Sequence, residues 1–265
     1  SRVHAVYKNI SLTGPVLTIR RFPENRITME DLIRFGSVTQ EAADFLEILV
    51  KSGYNLLISG GTSSGKSSLL GALTDYIPDN ERIILIEDSA ELQIQGIENL
   101  VRLETKNSNA QGKGMVSMRD LIRASLRMRP DRIIVGEVRG GEAVDMIAAL
   151  NTGHDGGMST IHANSAFGVF GRLETMFLSA VQYPVDAVRG QISTGIDIVV
   201  HLSRLRDGSR RILDISELLG FDGGKPVLNR LFRFRPEAGT KGMLEPTDNR
   251  IIHREKLEMR GFHLE

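Results

Sequence analysis

The sequence predicts an α/β fold with a twisted, largely parallel sheet, and two observations support this prediction. Short, continuously apolar segments, such as residues 83–86 and 133–135, alternate with longer segments of helical period. Strands buried on both faces of a parallel sheet are apolar throughout, and helices cover them. Three of the apolar segments also end in polar residues, at Glu87-Asp88, Glu137 and His162. Because ligands bind beyond the carboxyl ends of parallel strands, these ends predict one shared site.

The elements follow in order along the chain. Residues 1–22 alternate apolar and polar around a Thr-Gly-Pro turn and predict two strands, and Thr28 opens a short helix with a capping box. Further strands are predicted at 54–59, 82–86, 99–103, 132–135, 156–162, 196–202 and 210–218, and helices at 37–52, 66–76, 117–127, 142–150, 166–179 and 184–194. A last strand pair turns at residues 222–224, and the polar residues after it predict an irregular tail.

These elements predict four parts of the chain. Residues 1–36 form a partial, smaller N-terminal α/β domain, and residues 37–52 form a linker helix. Residues 53–235 form the main domain, and residues 236–265 form a C-terminal tail.

Composition excludes some partners and leaves others open. The 265 residues contain 33 basic and 33 acidic side chains, so bulk charge does not favour nucleic acid or an acidic membrane. A local basic face remains open, because five arginines lie close together: Arg119, Arg123, Arg127, Arg129 and Arg132. The absence of cysteine excludes disulfides, and no apolar run approaches the roughly 20 residues of a membrane span. We see no signal peptide, and because the chain begins at Ser1 we expect upstream sequence to be missing.

A glycine-rich motif lies between the apolar run 56–58 and the helix that follows it. Its residues are Gly60, Gly61, Thr62, Ser63, Ser64, Gly65, Lys66 and Ser67, with Ser68 next. Glycines allow backbone N–H groups to surround phosphate oxygens, and the positive end of the helix dipole faces the anion. Lys66 is then expected on the β- and γ-phosphates and the Ser67 hydroxyl on Mg²⁺. The alternative is a glycine-rich turn that binds nothing.

Carboxylates at the strand ends are candidates for catalysis. Glu137 ends an apolar strand and is the first candidate for the catalytic carboxylate. The residue before it is Gly136, where many enzymes with a phosphate-binding loop of this type carry Asp. Mg²⁺ would then need Ser67, waters and a second acid, for which Glu87 and Asp88 are available. The alternative for Glu87 is a helix or turn cap.

Histidine and arginine complete the predicted site. A neutral His162 could bind the γ-phosphate, with Thr160 holding the strand end, although a lone histidine is often structural. Arg139 could contact phosphate or hold Glu137. The candidates for arginine fingers, which stabilise transition-state charge, are Arg20, Arg21, Arg127 and Arg129; each could instead form a surface ion pair.

Four motifs in one order resemble a known family. They are residues 60–67, residues 86–92, residues 126–139 and residues 151–164, and they resemble the Walker A, Asp box, Walker B and His box of the bacterial type II/type IV secretion ATPase superfamily. Two segments, Asn-Thr-Gly-His at residues 151–154 and Arg-Met-Arg-Pro-Asp-Arg at residues 127–132, are most similar to the tight-adherence (Flp) pilus branch of this superfamily. The resemblance extends over about residues 14 to 235. Ser67-Ser68 departs from the two threonines that relatives often carry, but keeps the hydroxyl.

The resemblance implies a fold, a reaction and an assembly. The main domain would be a RecA-like P-loop NTPase domain that binds ATP and Mg²⁺. It would work in a homohexameric ring at the cytoplasmic side of the inner membrane, on a platform protein. Glu137 would be the catalytic glutamate, Glu87 the Asp-box acid and His162 the His-box residue, and Gly136 is then expected. The shorter N-terminus raises the question of whether this chain docks and assembles.

Two other functions remain open. One is a RecA-like nucleic-acid translocating ATPase, supported by the arginines at 119–132 but disfavoured by zero net charge and only 5% aromatic residues. The other is a nucleotide-gated structural subunit without turnover, against which Glu137 and His162 argue.

Overall fold

The computed structural model describes residues 1–21, 25–109, 111–236 and 242–262. The elements in chain order are β1 Arg2–Val6, β2 Val16–Arg20, α1 Met29–Arg34, α2 Gln40–Lys51, β3 Leu56–Gly60, α3 Lys66–Leu73, β4 Ile83–Glu87, β5 Leu100–Glu104, α4 Met118–Ser125, β6 Arg132–Val138, α5 Glu142–Leu150, β7 Met158–His162, α6 Gly168–Ala180, α7 Val185–Gly195, β8 Ile198–Arg204, β9 Arg210–Asp222, β10 Lys225–Arg235, β11 Met243–Pro246 and α8 Glu255–Met259.

A nine-stranded sheet organises the described residues, in the order β11-β10-β9-β8-β3-β7-β6-β4-β5. The strands from β8 to β5 in this order pair in parallel, and β9, β10 and β11 extend the sheet with antiparallel pairs. This confirms the predicted α/β class with its largely parallel sheet. The central strand β3 leads directly into the glycine-rich motif.

Both faces of the sheet are buried, as the continuously apolar strands predict. Leu56 and Ile58 of β3 pack into one core cluster, whereas Leu57 between them packs into the other. Alternate side chains of a strand point to opposite faces, so a strand between two helical layers must be apolar throughout. Helices α2 and α3 cover the first face, and α4 to α7 cover the second.

The N-terminal strands form a separate sheet. β1 and β2 pair antiparallel, and nearly all of their residues are exposed. Arg2 and Arg20 each form an ion pair with Glu91, at 3.5 and 3.7 Å, which places the charged face of this hairpin against the main domain. The next helix, α1, begins at Thr28 with the predicted capping box. The division of the chain at residues 36 and 52 stays a prediction.

The C-terminal residues are more ordered than the sequence indicated. The prediction of an irregular tail is wrong for the described part of residues 236–265, because β11 pairs with β10 and α8 follows. The carboxylate of Glu217, which is 1% exposed, accepts the backbone N–H groups of Ile252 and His253. Leu257 is also buried in the core. These contacts come from distant parts of the chain, so local pattern could not reveal them.

Among the described residues, no helix combines the length and the apolar character that crossing a membrane requires.

Candidate nucleotide site

The glycine-rich motif forms a tight loop between β3 and α3 at the carboxyl edge of the sheet. Gly65 precedes the helix with φ 103°, a left-handed conformation that favours glycine. A side chain at Gly60 would place its Cβ 2.4 Å from the backbone oxygen of Leu202, so only glycine fits there. The loop therefore needs glycine at both ends, for backbone conformation at one and for close approach at the other.

Lys66 lies beneath the loop and is 7% exposed. Its Nζ donates hydrogen bonds to the carbonyl oxygens of Gly60 at 3.1 Å and Gly61 at 2.9 Å. Burial lowers the pKa of Lys66, and the nearby carboxylate of Glu137 partly offsets this. A cation held among carbonyl oxygens at a helix N-terminus is suited to bind an anion.

Glu137 and His162 meet beside Lys66 because their strands are neighbours. His162 ends β7 directly opposite Gly60 of β3, and β6 lies on the other side of β7. The pairing of β6 with β7 is irregular between Val135 and Val138, which is a bulge that re-aims the side chain of Glu137. His162 Nε2 lies 2.9 Å from Glu137 Oε1, and His162 Nδ1 lies 3.4 Å from Lys66 Nζ.

The electrostatics of this group favour a neutral His162. Burial lowers the pKa of His162, and the charge of Lys66 lowers it further, against the opposing effect of Glu137. An ammonium group beside Nδ1 donates to it, so the ring proton of neutral His162 belongs on Nε2, toward Glu137. Glu137 Oε1 is buried and lies 2.9 Å from this Nε2, but no aligned hydrogen bond to it is formed among the described residues.

Arg139 and Thr160 hold the end of β6 in place. Arg139 Nη2 donates to Glu137 Oε2 at 2.7 Å. Holding Glu137 is one of the two roles predicted for this arginine, the other being contact with phosphate. The Thr160 hydroxyl donates to the carbonyl oxygen of Gly136 at 2.7 Å, across the bulge. A Cβ at Gly136 would lie 3.2 Å from Glu87 Cγ, so a larger residue there would crowd the end of β4.

Glu87 lies at the same edge but is fully engaged within the protein. Its Oε1 accepts the backbone N–H groups of Glu91 at 3.0 Å and Leu92 at 2.8 Å. Its Oε2 accepts Arg102 Nη2 at 3.2 Å. This geometry is that of a loop cap, the alternative considered from the sequence. Within the described ranges, no cluster of three or more acidic, histidine or cysteine side chains could hold a metal ion unaided.

A cavity of about 640 Å³ connects these groups. Its lining includes the loop, Ser67, Ser68, Glu87, Glu137, Arg139, Thr160 and His162. Arg20 also lines it, as does Arg210, which the sequence reasoning missed because β9 starts far from any motif. A smaller adjoining cavity of about 210 Å³ contains Arg20 and Arg21.

The remaining arginines lie elsewhere. Arg127 and Arg129 precede β6, at the amino edge of the parallel strands, so a strand of seven residues separates them from the cavity. That is a distance of about 20 Å along the sheet. Arg119 and Arg123 pair with Asp145, and the buried Arg132 pairs with Glu81. Only part of the arginine-rich segment is therefore available for a basic face.

Fold and site together define an α/β protein with a phosphate-loop type of turn at the carboxyl edge of its sheet. The chain belongs to the family described as Type II/IV secretion system protein, which matches residues 8–233.

Curated relatives agree with this family. A Mycobacterium tuberculosis protein named for conjugal transfer is 38% identical over 223 residues, which are 84% of this chain and 62% of that protein. The type IV secretion system protein PtlH of Bordetella pertussis is 40% identical over 177 residues, 65% of this chain and 52% of that protein. The chain therefore spans about three fifths of the length of such relatives.

Solved structures show the same fold. The VirB11 ATPase of the Brucella suis type IV secretion system, in complex with sulphate, is 32% identical, with a TM-score of 0.59 over 76% of this chain and 66% of that one. The pilus retraction motor PilT with bound ADP is 25% identical, with a TM-score of 0.57 over 86% of this chain and 58% of that one. These two neighbours are, by name, an ATPase of a type IV secretion system and a pilus retraction motor.

Proposed function

We propose that this chain hydrolyses ATP and is the motor part of a pilus or secretion machine. The observation that carries the proposal is that His162 lies between Lys66, at 3.4 Å, and Glu137, at 2.9 Å, where the ends of β3, β7 and β6 meet beside the glycine-rich loop. Phosphoryl transfer to water needs a phosphate cradle, positive charge and a group that orients the water. This group of residues supplies all three.

The loop is the proposed phosphate site. Backbone N–H groups of residues 60–68 and the N-terminus of α3 would bind the β- and γ-phosphates, with Lys66 exchanging its carbonyl partners for phosphate oxygens. Mg²⁺, when bound, would neutralise charge between the two phosphates. The exposed hydroxyl of Ser67 suits it as a ligand, with waters and phosphate oxygens completing the shell.

Glu137 is the proposed catalytic carboxylate. Its Oε1 is an acceptor without an aligned hydrogen bond, so it can orient an attacking water, while Arg139 fixes the other oxygen. Neutral His162 faces Glu137 with Nε2 and, once substrate is bound, would donate from this nitrogen to the water or the γ-phosphate. Glu87 acts in this proposal by holding the loop at residues 88–92, and its direct role on Mg²⁺ is the weaker alternative.

The proposed assembly of several copies is supported by the family of the chain and by the positions of its arginines. Arg20 and Arg21 line the cavities and are placed to meet phosphate within the same chain. Arg127 and Arg129 are at the far edge, so they could act only on a neighbouring copy. We propose a homohexameric ring at the cytoplasmic face of the inner membrane, docked on a platform protein. Membership of the Flp pilus branch stays a prediction from the sequence motifs.

An assay of turnover with two variants tests the proposed reaction. Phosphate release from MgATP should be measurable for the full chain. Glu137→Gln should bind MgATP like the unmodified chain and lose about 10²–10⁴-fold in kcat, which is the usual contribution of a general base. Lys66→Ala should lose binding itself, measured with a fluorescent ATP analogue.

Oligomeric state should be measured in the same samples, with and without a non-hydrolysable ATP analogue. Turnover by Glu137→Gln at the unmodified rate would contradict the assigned role. A chain that binds and hydrolyses nothing, at every oligomeric state, would contradict the proposed function.

A further inference from the structure

Ser63, in the middle of the glycine-rich loop, has an uncommon backbone conformation. Its φ is 58°, which is the left-handed region that residues other than glycine rarely adopt. Such a residue is less stable there than in its ordinary conformations, and it persists only when surrounding contacts hold it. A contact that holds Ser63 would therefore hold the whole loop in its present shape.

Arg210 makes that contact from a distant part of the chain. Its Nε donates a hydrogen bond to the carbonyl oxygen of Ser63 at 2.9 Å. The stem of Arg210 also packs on the loop, since a Cβ at Gly65 would lie 3.4 Å from Arg210 Cδ. Within the described residues no ion pair of Arg210 with a carboxylate is seen, and Arg210 also lines the cavity.

The position of Arg210 is itself set by the sheet. Arg210 begins β9 and pairs with Arg204 at the end of β8. β8 in turn pairs with β3 up to Leu202 opposite Gly60, so the hairpin and the loop are parts of one sheet. A change of loop shape would have to break the Arg210 contact or move the end of this hairpin.

The contact also sets the direction of a backbone donor. In a planar trans peptide, the N–H of Ser64 points opposite to the carbonyl of Ser63. With that carbonyl bound by Arg210, the N–H of Ser64 points the other way, where it donates a long hydrogen bond to the carbonyl oxygen of Gly61 at 3.4 Å. A phosphate oxygen in the loop would replace this weak acceptor, as a phosphate cradle requires.

We propose that Arg210 is a positioning residue that holds Ser63 in its left-handed conformation and so pre-organises the loop for phosphate. This inference rests on the proposed nucleotide site. Arg210 is not assigned to the reacting atoms; it reduces the ordering that binding would otherwise require.

A double-mutant cycle tests the proposal with Mg²⁺ and a fluorescent ATP or ADP analogue. Arg210→Ala should weaken binding about tenfold, since it removes a charge-assisted hydrogen bond, and raise KM with kcat nearly unchanged. Glycine adopts the left-handed region readily, so in the Ser63→Gly background Arg210→Ala should weaken binding by less than about threefold. Arg206→Ala is the matched control, because Arg206 is an exposed arginine of the same hairpin turn.

Equal losses in both backgrounds would overturn the proposal, because a direct contact of Arg210 with phosphate would not depend on residue 63. Unchanged binding by Arg210→Ala would overturn it too.

Hydrogen exchange without nucleotide gives a second readout. Amides of residues 61–65 should exchange faster in Arg210→Ala and not in Arg206→Ala, and equal exchange would count against the proposal. If the unmodified chain binds no nucleotide, the proposed function fails, and this exchange measurement still decides whether Arg210 holds the loop.

Discussion

The ends of β4 and β6 show how one sequence signal can have two structural outcomes. Both strands are largely apolar and carry a glutamate at the same edge of the sheet: Glu87 is the last residue of β4, and Glu137 is the last but one of β6. The Glu87 side chain is 5% exposed and accepts two backbone N–H groups and Arg102. The Glu137 side chain is 19% exposed, is held by Arg139 through one oxygen, and has no aligned hydrogen bond at the other.

The difference lies in what the chain does after each strand. After Glu87 the chain turns back at residues 88–92, and its amides fill the acceptor sites of the carboxylate. After Glu137 the strand continues to Val138, and Thr160 of the neighbouring strand binds the bulge instead. A satisfied buried carboxylate stabilises structure, whereas an unsatisfied acceptor beside a lysine and a histidine is available for chemistry.

The largest expected effect comes from removing Glu87. Glu87→Ala leaves two amides and Arg102 without their acceptor, so the free energy of unfolding should fall by about 3 kcal/mol. Glu137→Ala, its matched comparison, should change stability by less than about 1 kcal/mol because its partner Arg139 is half exposed. Urea denaturation of both variants makes the measurement. Similar losses in the two variants would remove the distinction drawn between these strand ends.

A smaller effect is expected at the bulge. Thr160→Val removes the hydroxyl that binds the Gly136 carbonyl, so stability should fall by about 1 kcal/mol. Because the bulge aims Glu137, kcat should also fall several-fold while KM stays nearly constant. Steady-state kinetics with MgATP check this. Thr175→Val is the control, since its hydroxyl binds a carbonyl at an exposed position of helix α6, and a loss of turnover there would show that the effect is not specific.

The smallest effect concerns pH. Burial and then the charge of Lys66 hold the pKa of His162 below its ordinary value of 6.5, so most of His162 is neutral at pH 6.5 and it becomes charged at lower pH. Protonated His162 would pair with Glu137 Oε1 and reduce its ability to orient water. The value of kcat/KM should therefore fall at low pH, with the midpoint of the decline below pH 6.5. A decline centred above pH 6.5 would contradict this assignment.

Sequence reasoning recovered the order of the elements and most of the residues around the cavity. The continuous apolar strands, the capping box at Thr28 and the glycine-rich motif are local signals, and each corresponds to the observed structure. Arg210 and the C-terminal strand β11 were missed, because each depends on partners far away in sequence. The arginines were ambiguous for the same reason, since Arg20 and Arg127 look alike in sequence but lie at the cavity and at the opposite edge.

The sequence by itself determined the fold class, the glycine-rich loop and the set of polar strand ends, because periodicity and steric demands on glycine are properties of neighbouring residues. Only the tertiary structure decided which strand ends become neighbours. β7 lies between β3 and β6, so His162 bridges Lys66 and Glu137, while Glu87 is enclosed by its own loop. Strand order and hydrogen-bond partners arise from contacts between distant segments, and these contacts give identical residue types different roles.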